Sequence, residues 1–258
     1  MCEYLRAKRC RRTSVSSSIL RICEFQECAK RDGARWRERP MEAEVLERIN
    51  RGVIMRTGAY LTNDHFVISS GRHAREYVEK RLVTTEPAFT EGLGDIIAQH
   101  FAASPVDVVL TSGIGATILG NCVAGAHPSR PKLLYAVKGK GKEGKTEVTL
   151  PREFSPFLYR GSSALIVEDI LTTGSTIRAL IRLVEEREGR VVGIGSLWNR
   201  NTRVKFHSPF FALVNQNFPT YVREECPLCQ KGIPLNAEYG VAVGGAPRRG
   251  RGARRTGS

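Results

Sequence analysis

The sequence predicts an α/β fold built on a central, mainly parallel sheet flanked by helices. Two observations carry this. From Met41 onward, short β-branched apolar runs alternate with stretches of helical period, the pattern of right-handed βαβ units. The chain is also long enough, at 258 residues with 41% hydrophobic content, to bury a sizeable core. No apolar run approaches the ~18–20 residues that a membrane span needs.

The elements follow in order. Glu42 to Met55 places Val45, Leu46, Ile49, Val53 and Ile54 at the spacing of an amphipathic helix. Short β-like pieces follow at Phe66–Ile68 and Tyr77–Val78, then a helix over Phe89–Phe101 and a buried strand over Asp107–Leu110. A helix over Ala116–Ala124 leads to strands over Lys132–Val137 and Glu147–Leu150. The strand Ser163–Val167, the helix Ser175–Glu186 and the strands Val191–Leu197 and Phe210–Val214 complete the pattern. Ligands on such sheets bind beyond the carboxyl ends of the strands. The loops after Leu110, Val137, Val167 and Leu197 are therefore the places to look.

The net charge of +14 invites a nucleic-acid reading, so its distribution matters. Residues 1–40 carry +6 and the tail 247–258 carries +5, leaving +3 for the body 41–246. A nucleic-acid-binding fold would carry a basic surface of its own, so nucleic acid is not the expected partner. Residues 1–40 are rich in Arg and Ser. They read as a basic extension, disordered or the product of a start codon set upstream of Met41. Its best apolar stretch, residues 18–22, is too short for the ~7–15-residue core of a secretory signal, and its acids count against a transit peptide. The Arg/Gly tail reads as disordered low complexity.

The loop Gly139-Lys-Gly-Lys-Glu-Gly144-Lys145-Thr146 formally fits a nucleotide-binding P-loop. That motif works only where a helix starts at the lysine, and Glu147-Val-Thr-Leu-Pro151 reads as a strand closed by proline. The remaining reading is a lysine-rich lid at a strand's carboxyl end, able to close on a polyanion.

The strongest local signal is Ala164-Leu-Ile-Val-Glu-Asp-Ile-Leu-Thr-Thr-Gly-Ser-Thr-Ile177. An apolar strand ends in two adjacent acids, and a Thr/Gly/Ser loop opens a helix. Hydroxyls and amides at a helix N-terminus form a pocket for a phosphate monoester. Two carboxylates beside it suit sugar hydroxyls and favour a divalent cation. The bland alternative is an ordinary turn with Ser175 capping the helix, which leaves the adjacent acids unexplained.

VEDILTTGST resembles the phosphoribosyl-pyrophosphate (PRPP) fingerprint of type I phosphoribosyltransferases. Within that group the chain is similar to the orotate phosphoribosyltransferases, through HFVISSGRHAREYVEK (65–80), VVLTSGIGATILGN (108–121), GIGSLWNR (193–200) and PTYVREECPLCQKGIP (219–234). The resemblance implies the type I phosphoribosyltransferase fold, with a small hood region beside the sheet. It implies a cytoplasmic homodimer that makes orotidine 5′-monophosphate and pyrophosphate from orotate and PRPP with Mg²⁺, in pyrimidine biosynthesis.

It also implies roles. Glu168 and Asp169 would hold the ribose hydroxyls, and Thr172, Thr173, Gly174, Ser175 and Thr176 the 5′-phosphate. Ser112, Gly113 and Gly115 belong to the turn matching the pyrophosphate loop. Thr172, Arg200 and His73 match positions at the orotate site, where a guanidinium suits a carboxylate. Lys138, Lys140 and Lys142, with Asp169, are the expected catalytic groups, the lysines on a lid that closes over the neighbouring subunit's site. Mg²⁺ would be bound mainly through PRPP, with no metal ligands of the chain's own. The sequence departs from the better-known bacterial branch, with Ile114 and His73 replacing lysines, Asn199 replacing an Asp, and no His in the lid. A purine phosphoribosyltransferase remains as one alternative, with Arg200 discriminating, since purines lack a carboxylate. A non-catalytic PRPP sensor that binds nucleic acid remains as another, against which the confinement of charge to the chain ends counts.

Cys226-Pro-Leu-Cys229 resembles half of a zinc knuckle, but a structural zinc needs four ligands and no second CxxC pair exists. Plain thiols are the expectation.

Overall fold

The computed structural model describes residues 52–240 apart from 53, 69, 142 and 143. The extension 1–40, the tail 247–258 and most of the helix expected over 42–55 lie outside the described residues. Of that helix, residues 52, 54 and 55 are described and are helical.

Four two-residue strands come first: β1 (Tyr60–Leu61), β2 (Phe66–Val67), β3 (His73–Ala74) and β4 (Tyr77–Val78). β1 pairs antiparallel with β4, and β2 with β3. Helices α1 (Lys80–Thr84) and α2 (Pro87–His100) follow, α2 starting on a proline whose missing N–H costs nothing in a first turn. Next come β5 (Val108–Thr111), α3 (Ile114–Ala126) and β6 (Lys132–Tyr135). The strand expected to run to Val137 stops at Tyr135. A new strand, β7 (Val137–Lys140), turns back through β8 (Thr146–Thr149) as an antiparallel hairpin. A strand thus follows Lys145, and the P-loop reading fails as its proline-closed β pattern predicts.

The rest is β9 (Ser163–Leu171), α4 (Ser175–Glu186), β10 (Arg190–Asn199), β11 (Phe210–Asn215), β12 (Thr220–Tyr221) and a short helix α5 (Pro227–Gln230). Strands β11, β10, β9, β5 and β6, in that spatial order, form one sheet with every pair parallel. β12 returns from the far end of the chain to pair with β3, making a three-stranded antiparallel hood.

Period-two alternation divides the core. Val109, Leu165, Val167 and Leu197 pack with Leu93 and Ile97 of α2 and Leu119 and Val123 of α3. Val108, Leu110, Ala164 and Ile166 pack with Ile177, Leu180, Leu183 and Val184, the apolar stripe of α4. α2 lies close to the sheet because β10 has glycine there: a Cβ on Gly195 would stand 2.6 Å from Ile97 Cγ2. The sheet's central strands are buried on both faces, so their carboxyl ends emerge between two helical layers.

Candidate active site

α4 starts on Gly174, held at φ +76°, a left-handed conformation that glycine adopts without strain. Among the described residues no side chain caps the helix, so the capped-turn reading of Ser175 is not what the loop does. The Ser175 amide instead donates to Thr173 Oγ1 at 3.3 Å, and Thr173 and Ser175 hydroxyls lie 3.1 Å apart. Arg178 reaches back to the Thr173 carbonyl at 3.0 Å and tightens the loop. Glu168 and residues Leu171 to Thr176 line a small hollow over this helix start. The remaining first-turn amides, the exposed hydroxyls and the helix dipole can hold an anion such as a phosphate.

β9 runs four residues past the expected end, because β10 continues to pair with it as far as Asn199 opposite Leu171. Glu168 and Asp169 therefore sit inside a strand and not in a loop, and both are buried. Asp169 forms an ion pair with Lys80 at 2.8 Å, and its Oδ1 also accepts from the Ile170 amide at 2.7 Å. Burial, the largest single influence, works against the Lys80 charge, but Asp169, Glu168 and Tyr77 together outweigh it and hold Lys80 above its ordinary value. Glu168 has a buried Oε2 with no hydrogen-bond partner among the described residues. Burial, then the charge of Asp169, pushes its carboxyl up to about 8, against the opposing charges of Lys138 and Lys80. A buried acceptor without a partner is costly, so this oxygen can accept from a ligand's hydroxyl.

Lys80 does not stand out in the sequence, although it closes the HFVISSGRHAREYVEK segment. Its partner is 89 residues away, so no local spacing marks it.

The turn after β5 approaches the same acids. Gly113 has φ +98° and ψ 152°, a region essentially confined to glycine. Gly115 lets α3 meet Asp169: a Cβ there would stand 2.5 Å from Asp169 Oδ2. Ser112 is buried with its hydroxyl unpartnered among the described residues. The turn thus offers a hydroxyl and the start of a helix beside the acidic pair.

Arg200 follows β10 directly, and its amide donates to the Leu171 carbonyl at 2.9 Å, fixing it beside Thr172. Its guanidinium lies 4.7 Å over the Phe218 ring, on an aromatic cluster with Tyr60 and Trp198. Its Nε is buried without a hydrogen-bond partner among the described residues. Burial pulls its pKa down, with Tyr77 and Glu76 opposing. A stacked guanidinium with no carboxylate partner among the described residues can hold an anionic planar group.

His73 is placed differently from the other expected base contacts. Its Nδ1 lies 2.8 Å from His65 Nε2 and 3.3 Å from Cys229 Sγ, within the hood. The lid lysines are brought to the site only in part. Lys138 is exposed on β7, near enough to oppose the shift on Glu168; Lys142 and the side chain of Lys140 lie outside the described residues. At its far end the hairpin rests on α4, with Thr146 Oγ1 donating to Ser175 Oγ at 3.2 Å.

Comparison with known proteins places this architecture. Residues 85–222 match the family model of the phosphoribosyl transferase domain. An orotate phosphoribosyltransferase of Thermoanaerobacter sp. strain X514 is 34% identical over 193 residues, covering 74% of this chain and 94% of that protein. One from Thermus thermophilus is 34% identical over 181 residues, 70% of this chain and 94% of its own. Among solved structures, an adenine phosphoribosyltransferase from Rhodothermus marinus superposes with a TM-score of 0.51 at 19% identity, covering 64% of this chain and 99% of that one, which bears on the fold alone. With the parallel sheet, the Thr/Gly/Ser turn between β9 and α4 and this degree of identity across most of its length, the chain belongs to the phosphoribosyl transferase family, among the orotate phosphoribosyltransferases.

Proposed function

We propose that the protein transfers the 5-phosphoribosyl group of PRPP to N1 of orotate, giving orotidine 5′-monophosphate and pyrophosphate for UMP synthesis. The observation that carries the choice of base is Arg200, a stacked guanidinium without an ionic partner among the described residues, tied by its backbone to the strand that leads into the phosphate loop. Orotate brings a planar carboxylate that such a group can hold in bidentate fashion. Purine bases bring none.

The residues divide the substrate between them. The 5′-phosphate sits on Thr172 to Thr176 at the start of α4. Glu168 and Asp169 accept from the ribose 2′- and 3′-hydroxyls, with Lys80 paired to Asp169. Ser112, Gly113 and Gly115 receive the pyrophosphate, and Thr172 and Arg200 the orotate carboxylate. Bond breaking at the anomeric carbon leaves an oxocarbenium-like ribose and a growing negative charge on pyrophosphate. Lys138, Lys140 and Lys142 neutralise that charge as the β7–β8 hairpin excludes water. Asp169 is already paired and Glu168 offers one orphan oxygen, so the chain suits Mg²⁺ carried in on PRPP better than an ion held by the protein. When bound, Mg²⁺ supplies charge neutralisation at the leaving group. Arrangement as a homodimer, with each lid serving the neighbouring subunit, and a cytoplasmic location belong to the same reading.

The test is loss of orotate absorbance by the full chain. Consumption that needs both PRPP and Mg²⁺ supports the proposal. Tight PRPP binding with no orotate turnover, or turnover of adenine or hypoxanthine instead, refutes it.

A further inference from the structure

The hood brings together four side chains that the proposed reaction does not use as a set. His65 precedes β2, His73 opens β3, Cys226 precedes α5 and Cys229 lies within it. Their ligand atoms, two imidazole nitrogens and two sulfurs, all lie within 4.8 Å of one another. Cys226, His65 and His73 are buried, and Cys229 is half-buried. The pairs come from opposite ends of the described chain, His65 and Cys229 being 164 residues apart.

We propose that His65, His73, Cys226 and Cys229 form a structural zinc site that fastens the C-terminal segment to the β2–β3 hairpin of the hood. The distances support it. Zn–N and Zn–S bonds of about 2.0–2.1 and 2.3 Å in a tetrahedron give N···S edges of about 3.6 Å and an N···N edge of about 3.3 Å. The three N···S distances within hydrogen-bonding range are 3.6 Å (Cys226–His65), 3.7 Å (Cys229–His65) and 3.3 Å (Cys229–His73). The His65–His73 edge is 2.8 Å, short by about half an ångström, which an ion would open.

The hydrogen bond behind His65 supports it independently. His65 Nδ1 lies 2.7 Å from the Ile233 carbonyl, which can only accept, so the ring proton is on Nδ1. The Nε2 lone pair is thereby aimed at His73 and both sulfurs. Metal-bound histidines are oriented in this way. The carbonyl belongs to the same CPLCxxGIP ending as the cysteines. A turn there, with Gly232 at φ +64° and the Ile233 amide on the Leu228 carbonyl at 3.0 Å, presents that carbonyl beside the cysteine pair.

The chemistry selects the metal class. Two thiolates and two imidazoles in a tetrahedron suit Zn²⁺ over the oxygen-preferring Mg²⁺. Binding releases the two thiol protons to solvent and leaves a site of zero net charge, which a buried location tolerates. Four protein ligands leave no open position for water or substrate, so the ion acts in structure and not in catalysis. It would also hold His73 by Nδ1, leaving Nε2 as the ring nitrogen able to meet a base. That last point rests on the proposed orotate site; the metal site does not.

The test uses the full chain, purified without chelators. Elemental analysis is expected to give one zinc per chain, and Co²⁺ loaded into chelator-stripped protein should give the thiolate charge-transfer and intense visible bands of a tetrahedral centre. Cys229→Ser, changing the half-buried ligand, should lose most of the zinc and the charge-transfer intensity. Chelation should lower the unfolding temperature, and Zn²⁺ should restore it. The cobalt spectrum of the unsubstituted protein needs no variant to fold. Zinc below about a tenth of an equivalent after supplementation, with no cobalt charge-transfer band, would overturn the site and leave a buried histidine pair beside two thiols. So would a Cys226–Cys229 disulfide in the metal-free protein. None of these readouts depends on orotate turnover.

Discussion

Arg200→Met separates base recognition from folding, because the structure assigns opposite signs to the two effects. In the complex, the guanidinium would be paired with the orotate carboxylate, partly desolvated. Removing one partner of such a pair costs about 2–5 kcal/mol. Arg200 is half-buried, so the lower part of that range applies, about 2–3 kcal/mol or roughly 30- to 150-fold in kcat/KM for orotate. In the free protein the balance differs. The variant loses the stacking on Phe218 at 4.7 Å, worth about 0.5–1 kcal/mol. It also relieves a buried, unpartnered Nε, whose penalty is about 1–3 kcal/mol. Methionine keeps the apolar stem against the Tyr60–Trp198–Phe218 cluster. The variant should therefore unfold in urea at the parent's midpoint or slightly above it, bind PRPP unchanged, and use orotate poorly. Arg200→Lys should recover only part of the loss, since an ammonium lacks the planar fork. Orotate kinetics, PRPP titration and urea unfolding on one preparation decide the matter. Equal losses of PRPP and orotate binding, or a drop in stability that accounts for the lost activity, would refute the assignment.

Glu168→Gln should raise stability while weakening PRPP. A carboxyl whose folded pKa is raised disfavours folding once ionised, so the variant's advantage should be absent below about pH 4 and grow from the ordinary Glu range up to about pH 8. PRPP affinity of the parent should rise over the same window as Glu168 ionises, with Asp169, Lys80 and Lys138 shaping the curve; a flat profile contradicts the role. Lys80→Met leaves Asp169 buried without its ion-pair partner. For a half-exposed lysine the stability loss should be about 1 kcal/mol, read by urea unfolding, with a larger rise in KM for PRPP than for orotate. Gly115→Ala forces a methyl to within 2.5 Å of Asp169 Oδ2. It should cut kcat/KM for PRPP at least tenfold, while the same change at Gly125, which meets nothing within 4 Å, should be silent. Lys138→Ala should lower kcat by about 10²-fold with little effect on unfolding, as Lys138 is exposed on the hairpin.

Much of this is legible in the sequence because it is local. The β9–loop–α4 unit is continuous in the chain. Its apolar run predicts the strand, and its Thr/Gly/Ser loop predicts a helix start open to phosphate; the observed helix has the expected bounds, Ser175–Glu186. Alternation and length likewise yield the parallel strands. The departures have physical causes too. Acids ordinarily end a strand, which places the end of β9 at Val167, whereas β10 pairs with it up to Leu171 and carries the acids inside. Nothing in Tyr135-Ala-Val137 marks the bend that separates a sheet strand from a hairpin, so pattern alone merges β7 into β6.

What stays hidden is long-range. Lys80 belongs with Asp169 only after α1 is packed against α2 and α3, which brings it to the end of the central strand β9. The CxxC pair, judged by its own spacing, lacks two ligands, and a search for a second CxxC does not supply them. The missing atoms are histidines at positions 65 and 73, on a hairpin that reaches the cysteines only because β12 returns to pair with β3. That pairing sets Tyr221 against His73 and starts the turn that ends in CPLC. A hood built from strands two residues long has little hydrogen bonding of its own, and isolated hairpins are marginal in water. A metal clip across 164 residues would close a very long loop, where constraint of the unfolded chain has the most to offer. The weakest part of the sheet architecture and the four converging ligands are in the same place, and the zinc site gives that coincidence a physical reason.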